Sequence, residues 1–403
     1  MPGPLAHIRV LDLSRVLAGP WASQNLADLG AEVIKVERPG TGDDSRAFGP
    51  PWMRDRAGRE TRDSAYFTCA NRGKKSVTIN LAHPEGQGLV RALAQKSDVL
   101  VENFKYGDLA RYGLAWEDLR ALNPRLVYCS ITGFGHTGPL RERPGYDFLV
   151  QGMGGMMSVT GEPDGEPMRA GVPVADIITG MYASIAICAA LAHRAETGRG
   201  QHLDLALLDS QIALLAYQAT NYFATGKPPR RIGNLHPNIV PYQPFRTKDG
   251  ELVLACGNDN LFRRFCEAAE APELASDPRF ETNGRRVENR SELVRILGEI
   301  FLRRTTREWL ERLDAAGVPA GPINDLAQVF EEPQVRARGV RVEVEHPVAG
   351  KLPLVASPMR FSETPLAHDR PPPLLGEHTE EVLGSLLGLD PARLARLREA
   401  GVI

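Results

Sequence analysis

The sequence Ile8-Arg-Val-Leu-Asp-Leu-Ser14 predicts a β-strand, and Glu32-Val-Ile-Lys-Val-Glu37 predicts a second strand after a short helix. Two strands joined through a helix form a βαβ unit, in which the strands are parallel. Further strands are predicted at 76–81, 98–102 and 125–132. The chain therefore begins with a large α/β domain that is doubly wound and Rossmann-like. In such a domain ligands bind at the carboxyl ends of the strands.

The length of 403 residues exceeds what one core usually holds, so two domains are expected. A Gly- and Pro-rich linker at 226–233 separates the large domain, 1–225, from a smaller α/β domain, 226–330. Strands at 242–246 and 251–256 and several charged helices belong to that second domain. Residues 331–403 form a separate C-terminal part.

Composition narrows the class of protein. A net charge of −2 gives no electrostatic attraction to nucleic acid or to an anionic membrane. The most apolar stretch, 177–192, is shorter than the ~20 residues of a membrane span. Five cysteines without CxxC spacing indicate a reducing compartment, and the N-terminus shows no signal-peptide pattern. We therefore expect a cytoplasmic protein with no nucleic-acid or membrane partner.

The stretch Met168-Arg-Ala-Gly-Val-Pro-Val-Ala-Asp176 precedes an apolar run that predicts a buried helix ending near 197–200. Asp176 is the only acidic residue there, at the predicted helix N-terminus. One interpretation is an N-cap. The other is a desolvated, ionised carboxylate that acts as a nucleophile, because a helix N-terminus favours the anion.

Charged residues at the strand ends allow two interpretations. Glu37 stands where a dinucleotide-binding acid would lie, but the loop Ser14–Pro20 lacks GxGxxG, which argues against a nicotinamide or flavin site. Arg38 suits a terminal phosphate, since guanidinium matches phosphate geometry, or is simply a solvated charge. Other basic residues next to strands could share a groove with Arg38; they are Arg72, Lys74, Lys75, Lys105 and Arg111.

Motifs typical of metal sites and of serine or cysteine nucleophiles are absent from the sequence. The nine histidines show no metal-ligand spacing, so no metal site is predicted. No GxSxG nucleophile motif is present, and no cysteine lies in a recognisable nucleophile motif.

With these residues in view, the chain resembles the class III (CaiB/BaiF-like) CoA-transferases over nearly its full length. The resemblance rests on several motifs in fixed order, namely Arg15-Val-Leu-Ala-Gly-Pro20, Leu29-Gly-Ala-Glu-Val-Ile-Lys-Val-Glu-Arg-Pro-Gly40, Asn71-Arg-Gly-Lys-Lys-Ser76, Glu102-Asn-Phe104, Ile131-Thr-Gly-Phe-Gly135, Pro144-Gly-Tyr-Asp147, the Asp176 stretch and Thr197-Gly-Arg-Gly-Gln201.

The resemblance implies that Asp176 is the catalytic aspartate and that CoA esters are substrates, with no tightly bound cofactor. Candidate CoA contacts on this basis are Val16, Ala18, Arg38, Lys75, Asn103, Phe104, Lys105, Arg111, Tyr146 and Asp147. It also implies an interlocked homodimer whose large domain combines the N-terminal and C-terminal parts of the chain. The segment Gly257–Asn260 stands where some members carry a mobile glycine-rich loop, but only one glycine is present.

The resemblance is strongest to enzymes that move CoA between dicarboxylates, of the succinyl-CoA:glutarate (hydroxymethylglutarate) type. It implies an aspartyl anhydride and an aspartyl-CoA thioester as intermediates. Arg46 and Arg169 are candidates for holding the remote carboxylate. The alternatives are a racemase of the same fold, whose histidine is replaced here by Tyr146, and CoA transfer to a monocarboxylate acceptor such as formate, oxalate or carnitine. A nucleotide-binding oxidoreductase and a non-catalytic CoA-binding protein also remain open.

Overall fold

The computed structural model describes residues Gly3 to Ile403. Two 3-10 turns are present, Asp44–Ala47 and Leu109–Tyr112. The strands and α-helices are, in chain order, β1 (Arg9–Asp12), α1 (Ala18–Asp28), β2 (Glu32–Glu37), β3 (Trp52–Arg54), β4 (Glu60–Ser64), α2 (Ala65–Thr68), β5 (Lys74–Thr78), α3 (Pro84–Gln95), β6 (Val99–Glu102), α4 (Trp116–Leu122), β7 (Val127–Thr132), α5 (Asp147–Met153), α6 (Met156–Val159), α7 (Val174–Thr197), β8 (His202–Ala206), α8 (Leu207–Ala213), α9 (Tyr217–Thr225), β9 (Tyr242–Arg246), β10 (Glu251–Ala255), α10 (Asp259–Ala268), α11 (Glu273–Ser276), α12 (Asn283–Glu288), α13 (Arg290–Phe301), α14 (Thr306–Ala315), β11 (Ala320–Pro322), α15 (Leu326–Glu331), α16 (Pro333–Ala337), β12 (Arg341–His346), β13 (Gly350–Val355), α17 (Thr379–Leu387) and α18 (Pro391–Glu399).

A six-stranded parallel sheet organises the first part of the chain, in the order β5-β2-β1-β6-β7-β8. This confirms the predicted α/β class and its parallel sheet. The direction of winding reverses between β1 and β6, and the crevice at such a reversal is where ligands bind in open α/β sheets. One apolar cluster covers each face of the sheet, which explains why its inner strands carry almost continuous apolar residues.

Helix α7 packs on one face of this sheet beside α1. A Cβ placed on Gly180 would lie 2.6 Å from the carbonyl oxygen of Ala18, so the two helices meet at backbone distance. The helix has 24 residues, and by length and composition alone it could cross a membrane; 39% of its most apolar window is buried inside the protein. The predicted end of this helix, near 197–200, agrees with Thr197, and the helix begins two residues before Asp176.

Two segments have more structure than their composition shows. The apolar stretch near 208–222 forms two helices, α8 and α9, because Ala216 adopts a positive φ of 44° between them. The segment 40–65, rich in Gly, Pro and charged residues, contains a 3-10 turn and the hairpin β3–β4.

The chain divides into two compact units. The first contains residues up to Met156, Arg169–Thr225 and Pro333–Ile403, and the second contains Met157–Met168 and Gly226–Glu332. The predicted division at 225/226 falls at the same place, and the C-terminal part returns to the first unit two residues later than expected.

The segment Met157–Met168 was assigned to the large domain by sequence but belongs to the second unit. The reason is local hydrogen bonding with the linker after residue 226. The N–H of Gly233 donates to the Gly161 carbonyl oxygen, and the Arg231 guanidinium donates to the carbonyl oxygens of Glu162 and Gly165. The second unit also holds the antiparallel sheet β11-β10-β9 and a core rich in aromatic residues.

Candidate active site

The N-terminus of α7 lies at the carboxyl edge of the parallel sheet. The helix runs into β8, which is parallel to β7, so α7 is antiparallel to the strands and its first turn reaches their carboxyl ends. Asp176 is the third residue of this helix and therefore is not its N-cap, contrary to one interpretation of the sequence. Asp147 takes that role, because its Oδ1 accepts the backbone N–H groups of Ala175 (2.8 Å) and Asp176 (3.3 Å).

The Asp176 carboxyl group is largely withdrawn from solvent and accepts no hydrogen bond from the residues described, Gly3 to Ile403. Burial, followed by the negative charge of Asp147, raises the pKa of Asp176 to about 7. A carboxylate that lacks both water and a cation is a stronger nucleophile than an exposed one. These properties fit the nucleophile interpretation.

Asp147 is itself well fixed. It is buried, and its Oδ2 accepts a hydrogen bond from Gln151 Nε2 at 2.6 Å. Gln151 Oε1 in turn accepts the N–H of Ala170 at 2.9 Å. This chain of hydrogen bonds attaches the segment that carries Arg169 to the start of α7.

Tyr66 of α2 is a site residue that the sequence analysis missed. Burial, and then the charge of Asp176, raise the pKa of the Tyr66 phenol, which places the two side chains in the same electrostatic environment. The ring is held by an edge-on contact with Phe48, at a centroid distance of 5.5 Å. No motif pointed to Tyr66, because it lies outside all the sequence motifs on which the family resemblance rests.

The loop between β1 and α1 lies at the winding reversal of the sheet and brings three predicted residues together. Val16 has a positive φ of 69°, a rare conformation for a β-branched residue. The backbone N–H of Arg15 donates to Asn103 Oδ1 at 2.8 Å, and Asn103 Nδ2 donates to the Arg15 carbonyl oxygen at 2.7 Å. Ala18 begins α1 directly after this loop and is buried.

A cavity of about 140 Å³ opens beside this loop, at the carboxyl ends of β1, β2 and β5. Phe104 and Tyr112 contribute aromatic surface to its wall, and Arg15 and Arg38 contribute guanidinium groups. Arg15 lies over the Phe104 ring at 5.0 Å. The Arg38 side chain forms no ion pair with any described residue, so it is available to a ligand. An apolar wall beside free guanidinium groups suits a nucleotide with its phosphates.

Two of the predicted basic residues lie near this cavity without lining it. Arg111 is exposed and forms an ion pair with Asp108 at 2.5 Å. Lys105 lines a separate cavity of about 470 Å³, whose wall also includes Trp116 and His202. The segment that follows β6 therefore separates the two cavities.

Lys75 does not lie at the carboxyl edge. It is the second residue of β5, and its Nζ forms ion pairs with Glu32 (3.0 Å) at the start of β2 and with Glu381 (2.8 Å). Arg72 is likewise bound to Asp28, at the end of α1, at 2.5 Å. Arg72 precedes β5 and Lys75 lies at its start, so both are at the amino edge, and the predicted groove shared with Arg38 was wrong for them.

Arg46 is also unavailable to a substrate. Its guanidinium is 4% exposed, binds both oxygens of Glu37 at 2.8 Å and stacks over the Phe67 ring at 3.7 Å. The expectation that it could hold a remote carboxylate was therefore wrong. Glu37 is occupied by the same pairing, which removes the acid that a dinucleotide ribose would need.

Tyr146 is 69% exposed, directly before the buried Asp147. Its position is set by Gly145, where an added Cβ would lie 2.4 Å from the Cα of Gly133. The segment Gly257–Asn260 begins helix α10, and Asn258 caps it by accepting the Leu261 N–H. Within residues 3–403 no group of three His, Cys, Asp or Glu side chains has an arrangement that could hold a metal ion.

Comparisons with known proteins place this chain in a family. A model described as CoA-transferase family III matches residues 5–379. The chain is 52% identical to succinate–glutarate CoA-transferase of Agrobacterium fabrum over 383 residues, covering 95% of this chain and 96% of that protein. It is 45% identical to human (Homo sapiens) succinyl-CoA:glutarate CoA-transferase over 400 residues, covering 99% and 90%. A crystal structure of a CaiB/BaiF family protein from Brucella suis superimposes with a TM-score of 0.84 at 49% identity, covering 96% and 100%.

The family predicted from the sequence motifs is thus confirmed, and the activity with it: CoA thioesters are the substrates. The chain belongs to CoA-transferase family III and is a CoA-transferase.

Proposed function

We propose that the protein transfers CoA from succinyl-CoA, or a similar donor, to glutarate or another dicarboxylate, through covalent intermediates on Asp176. The observation that carries this proposal is the Asp176 carboxyl group, which is secluded, unpaired and at the carboxyl edge of the sheet. The names of the relatives, which are transferases acting on succinate and glutarate, support the substrate class.

The reaction consists of four acyl transfers at the Asp176 carboxyl group. The carboxylate attacks the thioester carbonyl of the donor, the C–S bond breaks, and CoA leaves as the thiolate. The thiolate attacks the aspartyl carbon of the resulting anhydride and releases succinate. The acceptor carboxylate attacks this aspartyl-CoA thioester, again expelling the thiolate, which takes the acyl group of the acceptor and restores the carboxylate of Asp176.

Three features of the chain serve these steps. The positive end of the α7 helix dipole favours the negative charge that develops at each tetrahedral carbon. Seclusion from water protects both the anhydride and the thioester from hydrolysis. The Tyr66 hydroxyl lies in the environment of Asp176 and can donate a hydrogen bond to a developing oxyanion.

The cavity beside the Val16 loop is proposed to receive the nucleotide part of CoA. Arg38 would bind phosphate oxygens in fork geometry, and Phe104 would contact the adenine ring. Val16, Ala18 and Asn103 shape the same end of the sheet, whereas Lys75 lies at the opposite end. Arg111 and Lys105 flank the segment between the two cavities and would reach the CoA phosphates only from the side.

Arg169 is proposed to hold the remote carboxylate of the dicarboxylate. Its guanidinium is exposed, and its only hydrogen bond within the described chain goes to the Ala170 carbonyl oxygen at 3.3 Å. Ala170 is linked to Asp147 through Gln151, so Arg169 belongs to the segment fixed at the start of α7. Arg46, the other candidate, is already neutralised by Glu37.

A homodimer is proposed from the outer surface of α7, α8 and α9. This surface exposes large apolar side chains, among them Ile185 at 62% and Phe223 at 77%; the others are Met181, Tyr182, Ile212 and Tyr222. Apolar patches of this kind on a folded unit mark interaction sites. The five cysteines are free thiols, which supports the proposed cytoplasmic location.

The experiment that tests the nucleophile is trapping in mid-turnover. The enzyme is incubated with succinyl-CoA, treated with hydroxylamine, and digested for mass spectrometry. A hydroxamate is expected on Asp176 and on no other carboxyl group. Turnover without modification of Asp176 would contradict the mechanism.

The substrate class is tested with a panel of mono- and dicarboxylate acceptors. Dicarboxylates are expected to give the higher kcat/KM, and Arg169→Ala is expected to raise the KM for glutarate about tenfold while leaving that for a monocarboxylate within about twofold. An equal effect on both classes would remove Arg169 from this role.

A further inference from the structure

A buried ion pair lies beneath the loop that carries Val16, and none of the steps above uses it. Lys35 comes from the middle of β2, and Asp43 precedes the 3-10 turn at Asp44–Ala47. Their side chains are 0% exposed, and Lys35 Nζ is 2.7 Å from Asp43 Oδ2. Two charges at this depth are costly unless each meets several partners.

Both members of the pair also bind the backbone of the loop. Lys35 Nζ donates to the Ser14 carbonyl oxygen at 2.8 Å, and Asp43 Oδ1 accepts the Val16 N–H at 3.1 Å. Between these two points, Asn103 binds both polar backbone groups of Arg15. Side chains from three separate segments therefore fix three successive residues of the loop.

The backbone at Val16 explains why so many contacts are needed. A φ of 69° places the Cβ of a β-branched residue against its own backbone, so a free loop would leave this conformation. Such a residue persists only when its surroundings over-determine it. The Lys35–Asp43 pair binds the loop at the Ser14 carbonyl oxygen, two residues before the strained one, and at the N–H of Val16 itself.

The directions of both pKa shifts keep the pair charged near neutral pH. Burial raises the pKa of Asp43, but the Lys35 ammonium and the Ser45 hydrogen bonds outweigh it and bring the pKa to about 2. Burial lowers the pKa of Lys35, but the carboxylates of Asp43, Asp12 and Glu37 together outweigh it, so the pKa of Lys35 is raised. The pair is thus a permanent support rather than a pH-dependent switch.

We infer that Lys35 and Asp43 are positioning residues for CoA, which hold the Val16 loop in the strained form that lines the nucleotide cavity. Asp43 borders that cavity as Arg15 does, but the side chains of Lys35 and Asp43 are 0% exposed and bound to each other. They act on the ligand through the loop residues Arg15 and Val16. This inference rests on the CoA site proposed above. The buried pair, whose two charges cancel, thus contributes to the affinity for CoA esters and not to stability alone.

The double variant Lys35→Met/Asp43→Asn removes both charges together, so no unpaired charge is left inside. Its KM for succinyl-CoA is expected to rise about tenfold, as the loss of charged hydrogen bonds to the loop predicts. Its kcat and its KM for glutarate are expected to stay within about twofold of the wild-type values. Losses of equal size in kcat and in KM for succinyl-CoA would overturn the inference.

A matched pair at the other edge of the sheet separates positioning from stability. Arg72 and Asp28 are also buried, with side chains 7% and 3% exposed, and lie 2.5 Å apart, but they bind no residue of the Val16 loop. Asp28→Asn/Arg72→Met is expected to lower the melting temperature and leave the KM for succinyl-CoA within about twofold. A tenfold rise in both double variants would mean that any buried pair has this effect, and would also overturn the inference.

A milder variant keeps the test valid if the double variant does not fold. Ser45→Ala removes a hydroxyl that donates to Asp43 Oδ1 at 2.8 Å and leaves the ion pair intact. It is expected to raise the KM for succinyl-CoA about two- to threefold with unchanged kcat; no rise would count against the inference.

Arg38→Ala tests the CoA site itself. If Arg38→Ala raises the KM for succinyl-CoA and the Lys35/Asp43 and Ser45 variants do not, the CoA site is supported and the positioning role of the pair is contradicted. If Arg38→Ala does not change this KM, the proposed CoA site itself is contradicted.

Discussion

The two edges of the parallel sheet differ in how completely their charged side chains are paired. At the amino edge, Arg72 is bound by Asp28, and Lys75 by Glu32 and Glu381. At the carboxyl edge, Arg38 has no partner in the described chain, and Asp176 keeps an unpaired, secluded carboxyl group. The same residue types are present at both edges, but only one edge leaves them unsatisfied.

This difference distinguishes stability from function. A buried pair that satisfies both partners has no capacity left to bind a substrate. An unpaired charge near a cavity costs folding free energy, which a protein retains where binding or catalysis requires it. Charged groups that lack a partner or have a shifted pKa therefore indicate the edge that binds substrate more reliably than the number of basic residues does.

The largest expected effect concerns the nucleophile itself. Asp176→Asn keeps the size of the side chain and the contacts of the helix but removes the anion, so turnover is expected to fall by about a thousandfold or more. Asp28→Asn makes the same chemical change at the amino edge and is expected to keep turnover within about twofold. The rate of CoA transfer in each variant is measured by chromatography of the thioesters. Near-normal activity of Asp176→Asn would remove the contrast between the edges.

A second expected effect compares two basic residues that the sequence placed in one groove. Arg38→Ala is expected to raise the KM for CoA esters about tenfold, because a free guanidinium would lose its phosphate contact. Lys75→Ala is expected to change that KM by less than about twofold, since Lys75 is paired with Glu32 and Glu381. Initial rates over a range of succinyl-CoA concentrations give both values. Similar rises in the two variants would mean that the CoA site extends to the amino edge.

Local patterns in the sequence were sufficient for much of the fold. The bounds of β2, Glu32–Glu37, were predicted correctly because three of its four inner residues are apolar, as in strands covered on both faces. The position of Asp176 at the start of a long apolar helix also followed from sequence. Asn103 and Phe104 were placed correctly because they directly follow a strand of a parallel sheet.

Other features depend on contacts between distant residues and could not be predicted. Asp147 caps a helix that begins 27 residues later in the chain, counted from Asp147 to Val174, and no local spacing encodes this contact. Arg46 and Glu37 neutralise each other only after the segment between them folds back. For Lys75 the error was avoidable, because a residue that precedes a strand lies at the amino edge and one that follows it lies at the carboxyl edge.

The pH dependence of turnover sharpens the comparison further. Because burial and Asp147 raise the pKa of Asp176 to about 7, turnover is expected to increase with pH through neutrality as the carboxylate forms. Asp147→Asn keeps a hydrogen-bond acceptor for the helix but removes the neighbouring negative charge. The pKa of Asp176 then falls, and the acidic limb of kcat/KM is expected to move to lower pH by about half to one unit. A profile that does not move would show that burial alone sets the pKa.

The smallest expected effect is on stability, and its sign distinguishes the two edges. The folded-state pKa of Asp176 lies above its ordinary value of 3.8, so ionisation disfavours the folded state, and stability is lost as the pH rises from about 4 through 7. Asp176→Asn is therefore expected to stabilise the protein at pH 8, by about 1 kcal/mol after allowance for partial solvent screening, and to have almost no effect at pH 4. Asp28→Asn, which leaves the guanidinium of Arg72 buried without its partner, is expected to destabilise the protein at pH 8. Urea unfolding of both variants at the two pH values measures these differences. A loss of stability in Asp176→Asn at pH 8 would show that its carboxylate is a favourable structural partner, and that the two edges differ less than their geometry indicates.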